Sequence, residues 1–149
     1  MNAIYKKSSI ASLVFLALPA CSQQGSQLLT TIADARKHPA QFIDLGDDGD
    51  SVGDILVFDQ PLLDVDKKTI GNNSGFCIRT QVAHSFQCQW TLTTKSGSIQ
   101  VAGREYDEGS SNISITGGTG KYAGIQGEME STNNNDGTFT QLLLYTLNN

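Results

Sequence analysis

Residues 86–93 alternate strictly: Phe86, Cys88, Trp90 and Leu92 are apolar, and Gln87, Gln89, Thr91 and Thr93 are polar. A period of two marks a strand with one dry face and one wet face. The pattern recurs. Ile99 and Val101 share a face with Gly103 and Glu105. Ile113 and Ile115 alternate with Asn112, Ser114 and Thr116, and Ile125 and Met129 alternate with Gln126, Glu128 and Glu130. Strands are predicted at 41–45, 52–59, 62–65, 75–82, 86–94, 98–105, 112–117, 123–131 and 138–147, with Gly-rich breaks between them. A spacing of about ten residues with turn signals predicts a sandwich or a barrel. The stretch from Phe139 to Leu147 is apolar on both faces through Leu142, Leu143, Leu144 and Tyr145. That fits a closing strand covered by the N-terminal segment, or a subunit contact. Leu28, Leu29, Ile32 and Ala35 form a weak helical pattern over 28–38.

The alternation also sets a cross-strand register. Folding 75–82 back on 86–94 through a four-residue loop, Gln81–His84, puts Thr80 opposite Ser85, Arg79 opposite Phe86 and Cys77 opposite Cys88. Direct cross-strand neighbours have Cβ atoms roughly 4.5–5.5 Å apart. Cys77 and Cys88 could then bridge with some adjustment. Two buried free thiols are the other arrangement. The same parity places Arg79 and Glu105 on the face of Phe86, Trp90, Ile99 and Val101. An unpaired guanidinium or carboxylate among apolar walls is costly. Paired, the two could orient a polar group of a substrate, or Glu105 could serve as general acid or base. Phe86, Trp90 and Tyr106 could form an aromatic wall for a flat or fatty ligand, or simply core packing.

Composition narrows the class. The 149 residues make one domain at the usual size. Charged residues are only 17%, and all 15 glycines lie after residue 24, which argues against a helical bundle. Ten basic residues face 15 acidic ones, a net charge of −5. Without Lys6 and Lys7 the balance is 8 against 15, or −7. Nucleic-acid binding rests on Lys and Arg at phosphates, so no nucleic-acid partner is expected.

Lys6 and Lys7 precede a short apolar run from Ile10 to Leu18 and then Leu18-Pro19-Ala20-Cys21. The run is shorter than the roughly 20 residues a spanning helix needs and reads as an export signal. Leu18 to Cys21 resembles the lipobox of bacterial lipoproteins, whose Cys carries the lipid and becomes the mature N-terminus. The resemblance implies a membrane anchor at Cys21, and Ser22 after it favours the outer membrane of the cell envelope. With Cys21 lipidated, Cys77 and Cys88 remain as an even pair in a compartment that permits disulfides. The predicted organisation is a leader at 1–20, a tether with the weak helical segment at 21–40, and a β-domain at 41–149.

Two stretches, "GDSVGDILVFDQPLLDVDKKTIGNNSGFC" at 49–77 and "GSIQVAGREYDEGSSNISITGGTGKYAGIQGEM" at 97–129, carry a family likeness. Together they resemble the allene oxide cyclase and dirigent barrel superfamily over about Asp44 to Leu147. The resemblance implies an all-β fold, an eight-stranded antiparallel β-barrel with an apolar cavity, and homodimers or trimers. It implies an isomerase or cyclase chemistry without cofactor. Cys77 falls on the cavity Cys of the plant cyclases, whereas their cavity Tyr is replaced here by Glu105. Dirigent proteins carry an acid near that position, and Phe58-Asp59-Gln60-Pro61-Leu62 is similar to one of their strands. By this analogy the ligand is a small apolar or phenolic molecule.

Other chemistries find no support. Gly117-Gly118-Thr119-Gly120-Lys121 lacks phosphate-loop spacing. The Asp-rich run Asp44, Asp47, Asp48, Asp50 and Asp54 lacks the closing Glu of a calcium loop and is read as a solvated loop. His38 and His84 stand alone, so neither a metal site nor a Ser-His-Asp set is expected. Two readings follow: a barrel that binds a small molecule, with Glu105 and Arg79 as polar handles, or a packed, non-catalytic barrel with a structural or partner-binding role. The anchor gives a direct test. Cys21→Ser should move the protein from the membrane fraction to the soluble fraction, and unchanged partitioning would refute lipidation at Cys21.

Overall fold

The computed structural model describes residues 25–148. The predicted leader and Cys21 lie outside the described residues. Nine strands run β1 Gln27–Asp34, β2 Gln41–Ile43, β3 Ile55–Leu63, β4 Thr69–Gln81, β5 Ser85–Thr94, β6 Gly97–Tyr106, β7 Ser110–Gly118, β8 Ile125–Asn133 and β9 Thr138–Leu147. All pairings are antiparallel, in the order β1-β9-β8-β7-β6-β5-β4-β3-β2. Ile32 opposite Leu63 and Ala33 opposite Leu62 join β1 to β3. Eight strands thereby close into a barrel, which removes the edges of an open sheet. β2 is an extra short strand beside the start of β3, at the open end.

The period-two reading holds in the middle of the chain. Phe86, Cys88, Trp90 and Leu92 are all buried, as are Ile99, Val101, Ile113, Ile115, Ile125 and Met129. Leu92, Ile99, Val101, Ile113, Met129 and Leu143 fill one half of the lumen completely. Cys77 and Cys88 are Cα partners 4.0 Å apart and form a disulfide. Arg79 faces Phe86 as expected.

Four expectations need correction. The helical pattern at 28–38 is instead β1, so the barrel begins at Gln27 and not at 41. Every residue of β1 pairs with β9, and that ladder overrides a weak local preference. Alternation was hidden there because inward Thr31 is buried by donating to Gln141 Oε1 at 3.0 Å. Next, 52–59 and 62–65 are one strand, β3, running through Pro61. Pro61 lies between the stretch paired to β2 and the stretch paired to β1, where a missing donor is tolerated. The hairpin loop is one residue tighter: Gln81 faces Ser85, and a bulge between Arg79 and Gln81 absorbs Thr80. Lastly, β1 does not cover β9. It extends the sheet beside it, with Leu28 opposite Leu144, so Leu28, Leu142 and Leu144 stay exposed.

The disulfide clamps the β4–β5 hairpin that forms one wall of the lumen, across a sequence separation of 11. A closed loop of this size contributes roughly 2–3 kcal/mol through the unfolded state. The double variant Cys77→Ala/Cys88→Ala should therefore lower the denaturant midpoint. A midpoint equal to that of the wild type would show the bridge to be dispensable.

Candidate functional site

The half of the barrel opposite the packed end is open. It holds a cavity of about 390 Å³ reached by side chains from β1–β6, β8 and β9. Phe86, Trp90, Tyr106, Arg79, Glu105, Cys77 and Cys88 all line it, so the structure gathers every ligand-site residue singled out from the sequence. Phe42, Phe58 and Phe139 join the wall, as do Gln60, Asn73 and Gln141. Phe58 meets Trp90 edge-on, with ring centroids 6.3 Å apart. Trp90 is buried, and its Nε1 has no hydrogen-bond acceptor among the described residues.

Arg79 and Glu105 share the cavity without pairing. Arg79 Nη1 lies 2.7 and 2.8 Å from the two oxygens of Asp107. Its Nε lies 2.6 Å from Asp50 Oδ1, an ion contact off the hydrogen-bond axis. The guanidinium carbon sits 3.6 Å from the centroid of the Phe86 ring. Arg79 therefore joins two loops across the mouth, the one before β3 through Asp50 and the one after β6 through Asp107. Arg79 is buried, yet its charge is matched by two carboxylates.

The loop that supplies Asp50 is not a solvated acidic run throughout. Asp54 is fully buried and accepts from the Leu45 N–H at 2.8 Å and the Ser51 N–H at 2.6 Å. Those backbone donors, Leu45 first, hold its carboxyl below the usual range. Arg79 N–H donates to the Asp54 carbonyl at 2.8 Å, and Ala83 N–H donates to Asp50 Oδ2 at 2.7 Å. Asp54 thus shapes the loop, and Asp50 ties it to the β4–β5 turn. Sequence spacing carries no sign of this, because the partners are backbone groups of a loop not yet folded.

Glu105 stands apart from this ion cluster. It projects inward from β6 opposite Phe86 and accepts from Ser131 Oγ of β8 at 2.8 Å. Its Oε2 has no partner among the described residues. Burial pushes its pKa up to about 7, against the smaller lowering effect of Ser131. Arg79 does not pair with this carboxyl, because its guanidinium is held by Asp50 and Asp107. Parity with Met129 puts Ser131 on the inner face, but nothing in the sequence pattern names its partner. Among the described residues, no three His, Cys, Asp or Glu side chains form a group able to hold a metal ion.

The raised pKa has a consequence for stability. Between the unfolded value of 4.5 and the folded value of about 7, the native state holds a proton that the unfolded state has lost. Stability contributed by this group is therefore present below the lower value and falls as pH rises to the upper one, by on the order of 1–3 kcal/mol. Denaturant unfolding of the wild type and Glu105→Gln on both sides of this window should show the slope only in the wild type. A parallel slope in both would assign the pH dependence to other groups.

Comparison with known proteins agrees with this geometry. A family model described as "Dirigent-like protein" matches residues 24–148. No curated protein sequence shows a significant match. Among solved structures, a pyocyanin demethylase is similar at 26% identity and a TM-score of 0.71, over 80% of this chain and 100% of that one. The pterocarpan synthase dirigent protein PsPTS1 is similar at 17% identity and a TM-score of 0.64, over 85% and 99%. The Diels-Alderase AbmU from Streptomyces koyangensis is similar at 15% and 0.66, over 83% of this chain and 64% of that one. The last two likenesses are of fold alone. A family match spanning all the described residues, on a closed barrel with a lined cavity, places this chain in the dirigent-like family.

Proposed function

We propose that this protein holds a small planar aromatic or phenolic molecule in the open half of its barrel. There it promotes a cofactor-free isomerisation or cyclisation, with Glu105 as the group that moves the proton. Glu105 itself carries the reading: an inward carboxyl fixed by Ser131, bordered by aromatic rings, with its pKa pushed up to about 7. A group whose pKa lies near the operating pH can both take and return a proton. The aromatic walls would hold a flat ligand in one orientation across that carboxyl, which lowers the entropy cost of reaction. Arg79 is engaged by Asp50 and Asp107, so its part is to hold the rim in place. The likeness to a protein named for acting on pyocyanin supports a ligand with fused aromatic rings. The alternative, a structural barrel with a filled lumen, is disfavoured by a cavity of about 390 Å³.

The proposal includes location and assembly. The leader-like residues 1–20 and the lipobox-like Leu18–Cys21 support a lipid anchor at Cys21 and a place in the bacterial envelope, with Ser22 favouring the outer membrane. Ile43, Val57, Phe76 and Ile78 are exposed on the outer face of β2–β4, which supports contact with further copies in a homodimer or trimer.

Native mass spectrometry of the protein purified from its own host tests the reading. An aromatic molecule should be carried with the barrel. When that molecule is supplied back, Glu105→Gln should slow its conversion by roughly 10²–10⁴-fold while leaving it bound. Unchanged conversion would remove Glu105 from the chemistry.

A further inference from the structure

We infer that the cavity selects planar organic cations, rings carrying a delocalised positive charge, over neutral or anionic rings of the same shape. This inference rests on the lumen being a site for a planar ligand and adds the ligand's charge.

The wall chemistry is the first support. Phe42, Phe58, Phe86, Trp90, Tyr106 and Phe139 reach the cavity from β2, β3, β5, β6 and β9. The face of an aromatic ring is the negative end of its quadrupole and attracts a cation, more strongly where water is excluded. One cation already uses this wall, since the Arg79 guanidinium carbon lies 3.6 Å from the Phe86 centroid.

The charge count is the second support. The ionisable groups that line the cavity are Arg79 from β4 and Glu105, Tyr106 and Asp107 from β6 and its following loop. The lining residues of β1, β2, β3, β5, β8 and β9 are uncharged. Asp50 joins at the mouth through Arg79. One guanidinium is therefore set against three carboxyls in the site, and the two it touches, Asp50 and Asp107, already match its charge twice over. Among the described residues that line the cavity, no uncompensated cation remains to receive an anion. The site carries one net negative charge with Glu105 protonated and two with Glu105 ionised. In a partly desolvated cavity such a charge is weakly screened. The chain's net charge of −5 has the same sign and draws cations toward the mouth.

The geometry also couples binding to a proton. Glu105 Oε2 lacks a partner, and Ser131 is the one donor on the carboxyl among the described residues. A bound cation stabilises the carboxylate, so the acid form gives its proton to solvent and the ion pair takes its place.

Fluorescence titration of the purified protein with three acridines tests this: permanently charged N-methylacridinium, neutral acridine and anionic acridine carboxylate. At about pH 8, N-methylacridinium should bind on the order of tenfold more tightly than acridine, and acridine carboxylate should bind most weakly. Lowering the pH to about 5.5 should weaken N-methylacridinium severalfold, because only the protein can titrate. In Glu105→Gln, which keeps the shape and the Ser131 contact, that pH dependence should vanish while acridine still binds. Acridine or its carboxylate binding as tightly as the cation would overturn the charge preference and leave the ligand-site reading intact. Failure of all three to bind would overturn both.

Discussion

In a barrel of eight strands, the lumen is whatever the inward positions leave. Several of those positions are glycines, Gly75 and Gly103 among them. Gly75 is the cross-strand partner of Trp90, and Gly103 is the partner of Cys88. A Cβ on Gly75 would run into the Trp90 backbone and Cβ, and one on Gly103 would press on Ile113. The rest of the site depends on this close approach. It lets Trp90 lie against β4, where Phe58 meets its edge, and it leaves the open half unfilled. Toward the other end the inward positions carry Leu92, Ile99, Ile113, Met129 and Leu143, and the space closes. The same strands thus build a solid core at one end and a cavity at the other by side-chain volume alone.

Electrostatics then divides the open half. Arg79 and Glu105 start on the same face, and a direct pair between them would hold Glu105 ionised. Loop geometry prevents that pair. Asp54, buried on its own loop's backbone, shapes the segment that brings Asp50 to Arg79, and Asp107 arrives from the other side. The guanidinium charge is matched at the rim by two carboxylates, and among the described residues Glu105 keeps one hydroxyl partner. Two charged residues in one cavity therefore have different duties, one structural and one available for chemistry.

The parts legible in the sequence were those set by period two. Residues 86–93 fixed the parity of β5, and the β5 register carried Cys77, Arg79, Phe86 and Glu105 into the lumen together. β1 was not legible, because its inward Thr31 is polar and made dry only by Gln141, 110 residues away. Nor was the continuity of β3 and β4. Pro61, Gly71 and the asparagines at 72 and 73 all read as breaks, yet Asn73 is buried and accepts from Gln141 Nε2 at 3.1 Å. The missed features share a cause: their polar residues are satisfied by partners far along the chain, which local pattern cannot show.

Glu105 runs against what stability alone would favour. A buried carboxyl with one donor and one unpartnered oxygen costs free energy whichever form it takes. The neighbouring wall positions are Phe86, Trp90 and Cys88, so an apolar side chain would suit the site. Ser131, the single group that offsets the cost, sits at an inward position of β8, where Met129 and Ile125 are apolar. A polar pair has thus been built across β6 and β8 beside the apolar Phe86 and Met129. Energetic liabilities of this kind concentrate where a protein acts on something, because the carboxyl that is poorly solvated when the cavity is empty is the one that a ligand can satisfy.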